Sequence, residues 1–488
     1  MIDKLRRLAG LDVYESSVHQ AGPATYFLAR KGAEKLVGMV GQGQLAGRQI
    51  GELEGKTVVA GPCDHQNAVA IRQALPWTAP RCLGLATSVG LGDRLGLATP
   101  GHIRAVRRTG LKAYLAQQSI REMTRTGRTP RQVMDDATWG VLQEGFTEGF
   151  GADADHLQKF EDLQATVEAG FKLFTIDPGL HVENEADRME SADLGGKYAL
   201  LDFDTFQTRP AELKDAYVKG TFKLADGSKL KFDEQTFMRS AVKYGNAITH
   251  TVKMYRRLTE LAGSDFELEV SVDETQSPTS PAEHFFFASE LKRLGVRWVS
   301  MAPRFIGRFE KGVDYIGDLK LFRESFARHV NVMRTLGPYK ISIHSGSDKF
   351  SVYPIVAELT EGLVHLKTAG TSYLEAIRAI AMTNPSLFRE ILDFAKSRYE
   401  TDMATYHVSA DISKVPRASQ LPDGQLPALL DQFDARQALH VTFGSVLTAD
   451  DGKRFGDRIY STLGGQEEIH YQAIARHIGR HIAPFRKS

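Results

Sequence analysis

Between Phe266 and Asp273 every second residue is polar. Glu267, Glu269, Ser271 and Asp273 share one side of an extended chain, and Phe266, Leu268, Val270 and Val272 share the other. A half-exposed antiparallel sheet shows the same alternation. That reading weakens because the pattern recurs: Lys340, Ser342 and His344 alternate with Ile341 and Ile343, and His365 and Lys367 flank Leu366. Strands of a closed parallel barrel have no solvated outer face, so these polar sides are expected to converge inside it.

The remaining strand-like runs support that architecture. Arg81–Thr87, Glu148–His156 and Phe171–Pro178 precede the Phe266 run, and Val296–Met301, Tyr339–His344 and Leu363–Lys367 follow it. The eighth strand is expected at Thr405–Ser409 or at Leu439–Gly444. Helix patterns lie between them, at about 100–123 and 130–143. Repeated strand and helix units make the fold class α/β, a (β/α)8 TIM-type barrel. Residues 1–80 form an N-terminal extension, 81–183 the first part of the barrel and 263–488 the second part. Between them, 184–262 is a long insertion after the third strand, with an Asp226-Gly227 hairpin and a helix from about Asp233 to Leu261. An insertion at a strand's carboxyl end overhangs the mouth, so it is expected to serve as a lid.

Composition narrows the class of function. The 488 residues carry a formal net charge of +1, which argues against nucleic acid or anionic membrane as partner. Cys63 and Cys82 are the only cysteines and no long apolar run occurs, so a soluble cytoplasmic protein is expected. Homo-oligomerisation is left open by these features. Gly90-Leu-Gly92 with Gly96 departs from the dinucleotide spacing, and Ser345 and Ser347 lack the nucleophile-elbow pattern.

Converging imidazoles and carboxylates need a partner to offset their desolvation, and a divalent metal (zinc, manganese, nickel or iron) is the economical one. His156, His344 and His365 each end a separate strand, as a tripod of ligands would. His102, His250, His284, His329, His470, His477 and His481 lie in helix-like stretches and are read as structural. Lys367 faces inward, either as a Schiff-base amine or as a charge that binds substrate oxygen or neutralises carboxylates.

Longer motifs are more specific than these spacings. At Gly92-Asp-Arg-Leu-Gly96, Asp136-Ala-Thr-Trp-Gly140, Gly149–His156, Val270–Thr275, His344–Pro354 and Lys367–Glu375 the chain resembles the tagaturonate/fructuronate epimerases, some of which serve as tagatose 4-epimerases. The resemblance runs over nearly the whole length. It implies a metal-dependent isomerase that inverts carbon 4 of a 2-keto hexuronate, with a neutral ketohexose as alternative substrate. It further implies Asp155 as base, Glu269 as acid, and His156, His344 and His365 as metal ligands. Retro-aldol cleavage and re-formation of the bond between carbons 3 and 4 is the favoured route, beside a ketone shift or transient hydride transfer. An aldolase that releases its products, and a barrel that binds sugar without turnover, are the competing classes. For a substrate carboxylate, Arg94, Arg304, Lys349 and Lys367 are the candidate partners, and Asp273 joins Arg94, Lys349 and Lys367 as a substrate-binding residue.

Overall fold

The computed structural model describes residues 2–32 and 34–486. Eight parallel strands close a barrel: β1 (Ser88–Gly90), β2 (Lys112–Ser119), β3 (Gly151–Leu157), β4 (Leu173–Ile176), β5 (Glu267–Val272), β6 (Ser300–Pro303), β7 (Lys340–Ile343) and β8 (Val364–Lys367). Closure is made by β8 on β1, where His365 pairs with Ser88 and Lys367 with Gly90. The TIM-type architecture and the N-terminal extension are therefore as expected.

Strand assignments are corrected at three places. The first barrel strand begins at Ser88, because Arg81–Thr87 is irregular and runs beneath the barrel, where the Gly84 amide donates to the Glu267 carboxylate. Residues 112–119 were expected inside a helix and instead form β2. Their Ala, Leu and Gln are good helix formers, but pairing to β1 and β3 overrides local propensity. With β2 in place the barrel is complete at Lys367. Neither expected eighth strand exists: Thr405 closes a 3-10 turn and 406–409 is irregular, and 439–444 lies across two helices, Phe433–Val441 and Phe443–Thr448.

The long insertion accordingly follows the fourth strand. It ends in a hairpin, Phe222–Lys223 with Lys229–Leu230, and helix α1 (Glu234–Ala262), whose N-cap Asp233 accepts from the Thr236 amide at 2.7 Å. Phe237, Tyr244, Ile248 and Val252 form the buried stripe of α1, each side chain contributing about 1.5–3 kcal/mol by leaving water. The hairpin is not a lid. Its tip donates from the Ala225 and Asp226 amides to Thr335 and Asn331, at 2.9 and 3.1 Å, in the last turns of helix α2 (Leu319–Leu336). Those turns lead into the start of β7, at the end of the barrel away from the mouth. The mouth is covered instead by the loop after β6 and by Tyr406 and His440 of the C-terminal helical region.

The N-terminal extension is an antiparallel sheet over Asp12–Pro62. Tyr26 and Leu28 pack on Trp139 and Leu142 of the helix Pro130–Glu144, so the sheet stands outside the barrel wall. Among the described residues no helix is long and apolar enough to cross a membrane.

Candidate functional site

Polar side chains fill the barrel in tiers. At the bottom, Glu267 accepts from the Tyr114 hydroxyl at 2.9 Å and Lys340 donates to Ser88 Oγ at 3.0 Å. In the middle, the Lys367 ammonium lies 2.8 Å from Asp153, 2.6 Å from Asp155 and 2.7 Å from Glu269, and donates to Thr175 Oγ1 at 2.7 Å. Burial alone would lower the Lys367 pKa, but the three carboxylates push it well above the ordinary value. A protonated lysine held this way is no Schiff-base nucleophile; it neutralises carboxylates. Burial pushes Asp153 up to about 7 in spite of Lys367.

The top tier is built by a backbone irregularity. Asp155 and His156 are consecutive, and a regular strand would point them to opposite faces. Between β3 and β4 the register shifts, Ala154 pairing with Phe174 and Leu157 with Ile176, so one extra residue bulges from β3. His156 occupies the bulge at φ 51°, and both side chains reach the same cavity. Asp155 accepts from Gln117 Nε2 at 2.7 Å. Burial would raise its pKa, yet Lys367, His156 and His344 hold it well below the usual carboxylate range.

His344 follows β7 directly. Its Nε2 lies 2.6 Å from Glu269 Oε1, and its Nδ1 lies 3.2 Å from both Asp273 and Ser271 Oγ. His156 has Nδ1 3.2 Å from Asp177 and Nε2 3.8 Å from Asp155. Burial would lower both imidazoles, but Asp155 with Asp177 pushes His156 up to about 10, and Asp273 with Glu269 pushes His344 up to about 9 against Lys367.

Asp155, His156 and His344 offer donor atoms within 4.8 Å of one another. One carboxylate and two imidazoles are a donor set that suits zinc, manganese, iron or nickel. The strong pull of the surrounding carboxylates on protons at both imidazoles marks the same place as one that favours a cation. His156, Asp177 and Glu274 form an adjoining donor trio through the shared histidine.

The sequence-predicted residues divide into two groups. Asp155, His156, His344, Lys367 and Arg94 line one chamber, and Asp273 lines a larger neighbour of about 310 Å³ that shares His344 with it. His365 does not join the cluster. It faces inward two residues before Lys367, roughly 6.6 Å deeper along β8, with Nδ1 3.0 Å from Ser88 Oγ and its ring edge-on to Tyr114. Asp155 stands in its place as third donor. Glu269 is wholly buried and lines neither chamber; bound to Ser300 Oγ at 2.5 Å, His344 and Lys367, it is kept well below the usual carboxylate range because Lys367 and His344 outweigh its burial. It positions those groups and is not a standing acid. Lys349 is enclosed, its ammonium donating to the carbonyls of Glu310, Ser347 and Val313, so it binds loop and not substrate. Arg94 is spent on Glu122, at 2.8 Å, with its guanidinium 3.7 Å from the Phe443 ring centroid.

The family described as tagaturonate epimerase matches residues 14–485. The chain belongs to the tagaturonate epimerase family. It is 43% identical over 476 residues to the tagaturonate/fructuronate epimerase of Thermotoga maritima, covering 97% of this chain and 96% of that one. Crystal structures of the fructuronate-tagaturonate epimerase of Cohnella laeviribosi, native and with glycerol, superpose with a TM-score of 0.92 at 38% identity, over 99% of this chain and 98% of theirs. As a tagaturonate epimerase family member the protein is an isomerase of the epimerase type, which answers the competing aldolase and binding-only classes. In this family fold the residues that sequence reasoning missed are Asp153, Asp177, Glu274 and Lys311. Asp153 had a usable signal, since it alternates with Asp155 on one strand face. Lys311 had none.

Proposed function

We propose that the protein epimerises a 2-keto hexuronate at carbon 4, interconverting D-tagaturonate and D-fructuronate with the help of a divalent metal ion. The observation that carries this reading is the Asp155, His156 and His344 trio, set beside the Lys367 hub and open to a chamber. Full-length likeness to proteins named for these two sugar acids supports the substrate class.

The reaction sets the requirements. The hydrogen on carbon 4 is not adjacent to the carbon 2 ketone and gains no acidity from it, so direct deprotonation is costly. Removing the 4-hydroxyl proton instead lets the bond between carbons 3 and 4 break, its electron pair passing to the ketone to leave an enediolate and an aldehyde. The aldehyde turns, the bond re-forms on its other face, and the proton returns to the new hydroxyl. Asp155, His156 and His344 would hold the ion, which when bound supplies Lewis-acid stabilisation of negative charge on substrate oxygens. Proton transfer at the 4-hydroxyl falls to Asp273, the carboxylate beside His344 that faces the larger chamber. Lys367 keeps Asp155 ionised, as a ligand to a cation must be.

The test incubates chelator-treated protein with tagaturonate and follows fructuronate by proton NMR, with and without added zinc, manganese or nickel. Restored conversion on adding a metal is expected. Conversion that is absent under every condition, or that is indifferent to metal, overturns the proposal.

A further inference from the structure

A hexuronate brings a carboxylate into the site, and the four cations expected to meet it are, with one exception, already engaged. Lys349 is closed off by backbone carbonyls, Arg94 is paired to Glu122, and Lys367 is surrounded by three carboxylates. Arg121, also at the mouth, is paired to Glu274 at 2.8 Å. The exception is Arg304, directly after β6, which has no carboxylate within ion-pair distance among the described residues. Its Nη1 is buried without any hydrogen-bond partner. A buried guanidinium nitrogen left unpaired costs about 1–3 kcal/mol, so it marks a place where a ligand oxygen belongs.

Lys311 sits on the same loop. Its ammonium has no carboxylate partner among the described residues and donates only to Ser345 Oγ, at 2.7 Å. Ser345 follows His344, and Lys311 lines both chambers while Arg304 lines the larger one. The chemistry demands this closeness. In a 2-keto hexuronate the carboxyl carbon is two bonds from carbon 4, roughly 2.5 Å away, so its partner must stand against the reacting groups and not at the outer rim.

Resting on the substrate class proposed above, we infer that Lys311 and Arg304 form the carboxylate-recognising subsite that makes a sugar acid, and not a neutral ketose, the preferred substrate. Arg304 supplies a planar fork from the larger chamber and Lys311 a point charge from the side of His344. Both come from the loop after one barrel strand, so substrate acidity is read by a single βα connection.

The test compares wild type, Lys311→Met, Lys311→Arg and Arg304→Gln on tagaturonate and on tagatose in the presence of metal. Lys311→Met and Arg304→Gln are each expected to raise KM for tagaturonate by about 10- to 100-fold with a much smaller change in kcat, lowering the uronate-to-ketose ratio of kcat/KM accordingly. Lys311→Arg should recover most of the loss, while a merely structural role would shift thermal stability and kcat with both sugars alike. An unchanged KM for tagaturonate in both Lys311→Met and Arg304→Gln, or equal losses on the two sugars, overturns the inference. If wild type converts neither sugar, the proposed function falls by itself. The subsite is then read by calorimetry, with galacturonate and galactose as probes: selective loss of galacturonate binding in Lys311→Met supports it, and equal binding to wild type and variant refutes it.

Discussion

Among the described residues two clusters of one carboxylate and two imidazoles occur, Asp155 with His156 and His344 at the mouth, and Asp348 with His477 and His481 behind it; in each the donor atoms fall within 4.8 Å of one another. By residue type they are the same. Their surroundings differ. In the rear cluster Asp348 is 2.7 Å from His477 Nε2 through one oxygen and 2.8 Å from Arg436 Nη2 through the other. His481 Nε2 accepts the Asp348 amide at 2.8 Å, which leaves Nδ1 to donate to the His477 carbonyl at 2.9 Å. A backbone amide only donates, so this fixes the tautomer and uses the lone pair of His481. That cluster ties the loop after β7 to the C-terminal helix Glu467–Ile482 and has no lone pair on His481 left for an ion. The front cluster is strained open by a bulge, faces a chamber and has carboxylates in excess. The kind of partner, not donor count, separates the two: a backbone amide, which can only donate, occupies a ring nitrogen of the rear cluster, whereas the ring nitrogens of the front cluster face carboxylates.

The comparison breaks most sharply at His344. His344→Ala is expected to lower epimerase activity by at least about 100-fold and to abolish stoichiometric metal retention, measured by NMR assay and by elemental analysis. His365→Ala, by contrast, should retain metal, and its loss there would restore the three-histidine ligand set. In the rear cluster Asp348→Asn leaves Arg436 with a weakened partner in a buried setting. It should cost about 3–5 kcal/mol of stability in urea denaturation. Metal content per folded molecule should not change; a drop would mean that the rear cluster binds the ion.

The smallest effect is one of pH. Burial pushes His481 down to about 3 from an ordinary value of 6.5, so between those values the unfolded chain binds more protons at this residue than the folded one. Stability from this group is present above pH 6.5 and is lost as pH falls toward 3, with a slope of at most about 1.4 kcal/mol per pH unit. His481→Gln, which keeps an acceptor for the Asp348 amide, should flatten the acid limb of stability against pH. An acid limb as steep as that of wild type would remove His481 from the account.

Much of the mouth was legible because strands print their faces with period two. Glu269, Asp273, His344 and Lys367 were placed inward by alternation alone, and the structure brings all four into one connected polar network around His344 and Glu269. Asp155 and His156 needed a bulge to act together, and nothing local announces a bulge at Ala-Asp-Ala-Asp-His. The strand at 112–119 was hidden by helix-forming residues, and that one omission displaced the count of every later strand and called for an eighth where none was needed. Lysines were the least legible. Lys349 and Lys311 look alike in sequence, yet one is enclosed by three carbonyls and the other faces both chambers.

Sequence alone therefore determined the repeating strand and helix plan, the polar lining of the barrel and, through long motifs, the family. Those properties are periodic or contiguous, and each is written within a few neighbouring residues. Only the tertiary structure decided which donors meet. The depth of His365, the pairing of Arg94, the closure around Lys349 and the freedom of Lys311 depend on residues far apart in the chain, and a charge becomes available to a ligand only when folding has left it without a partner.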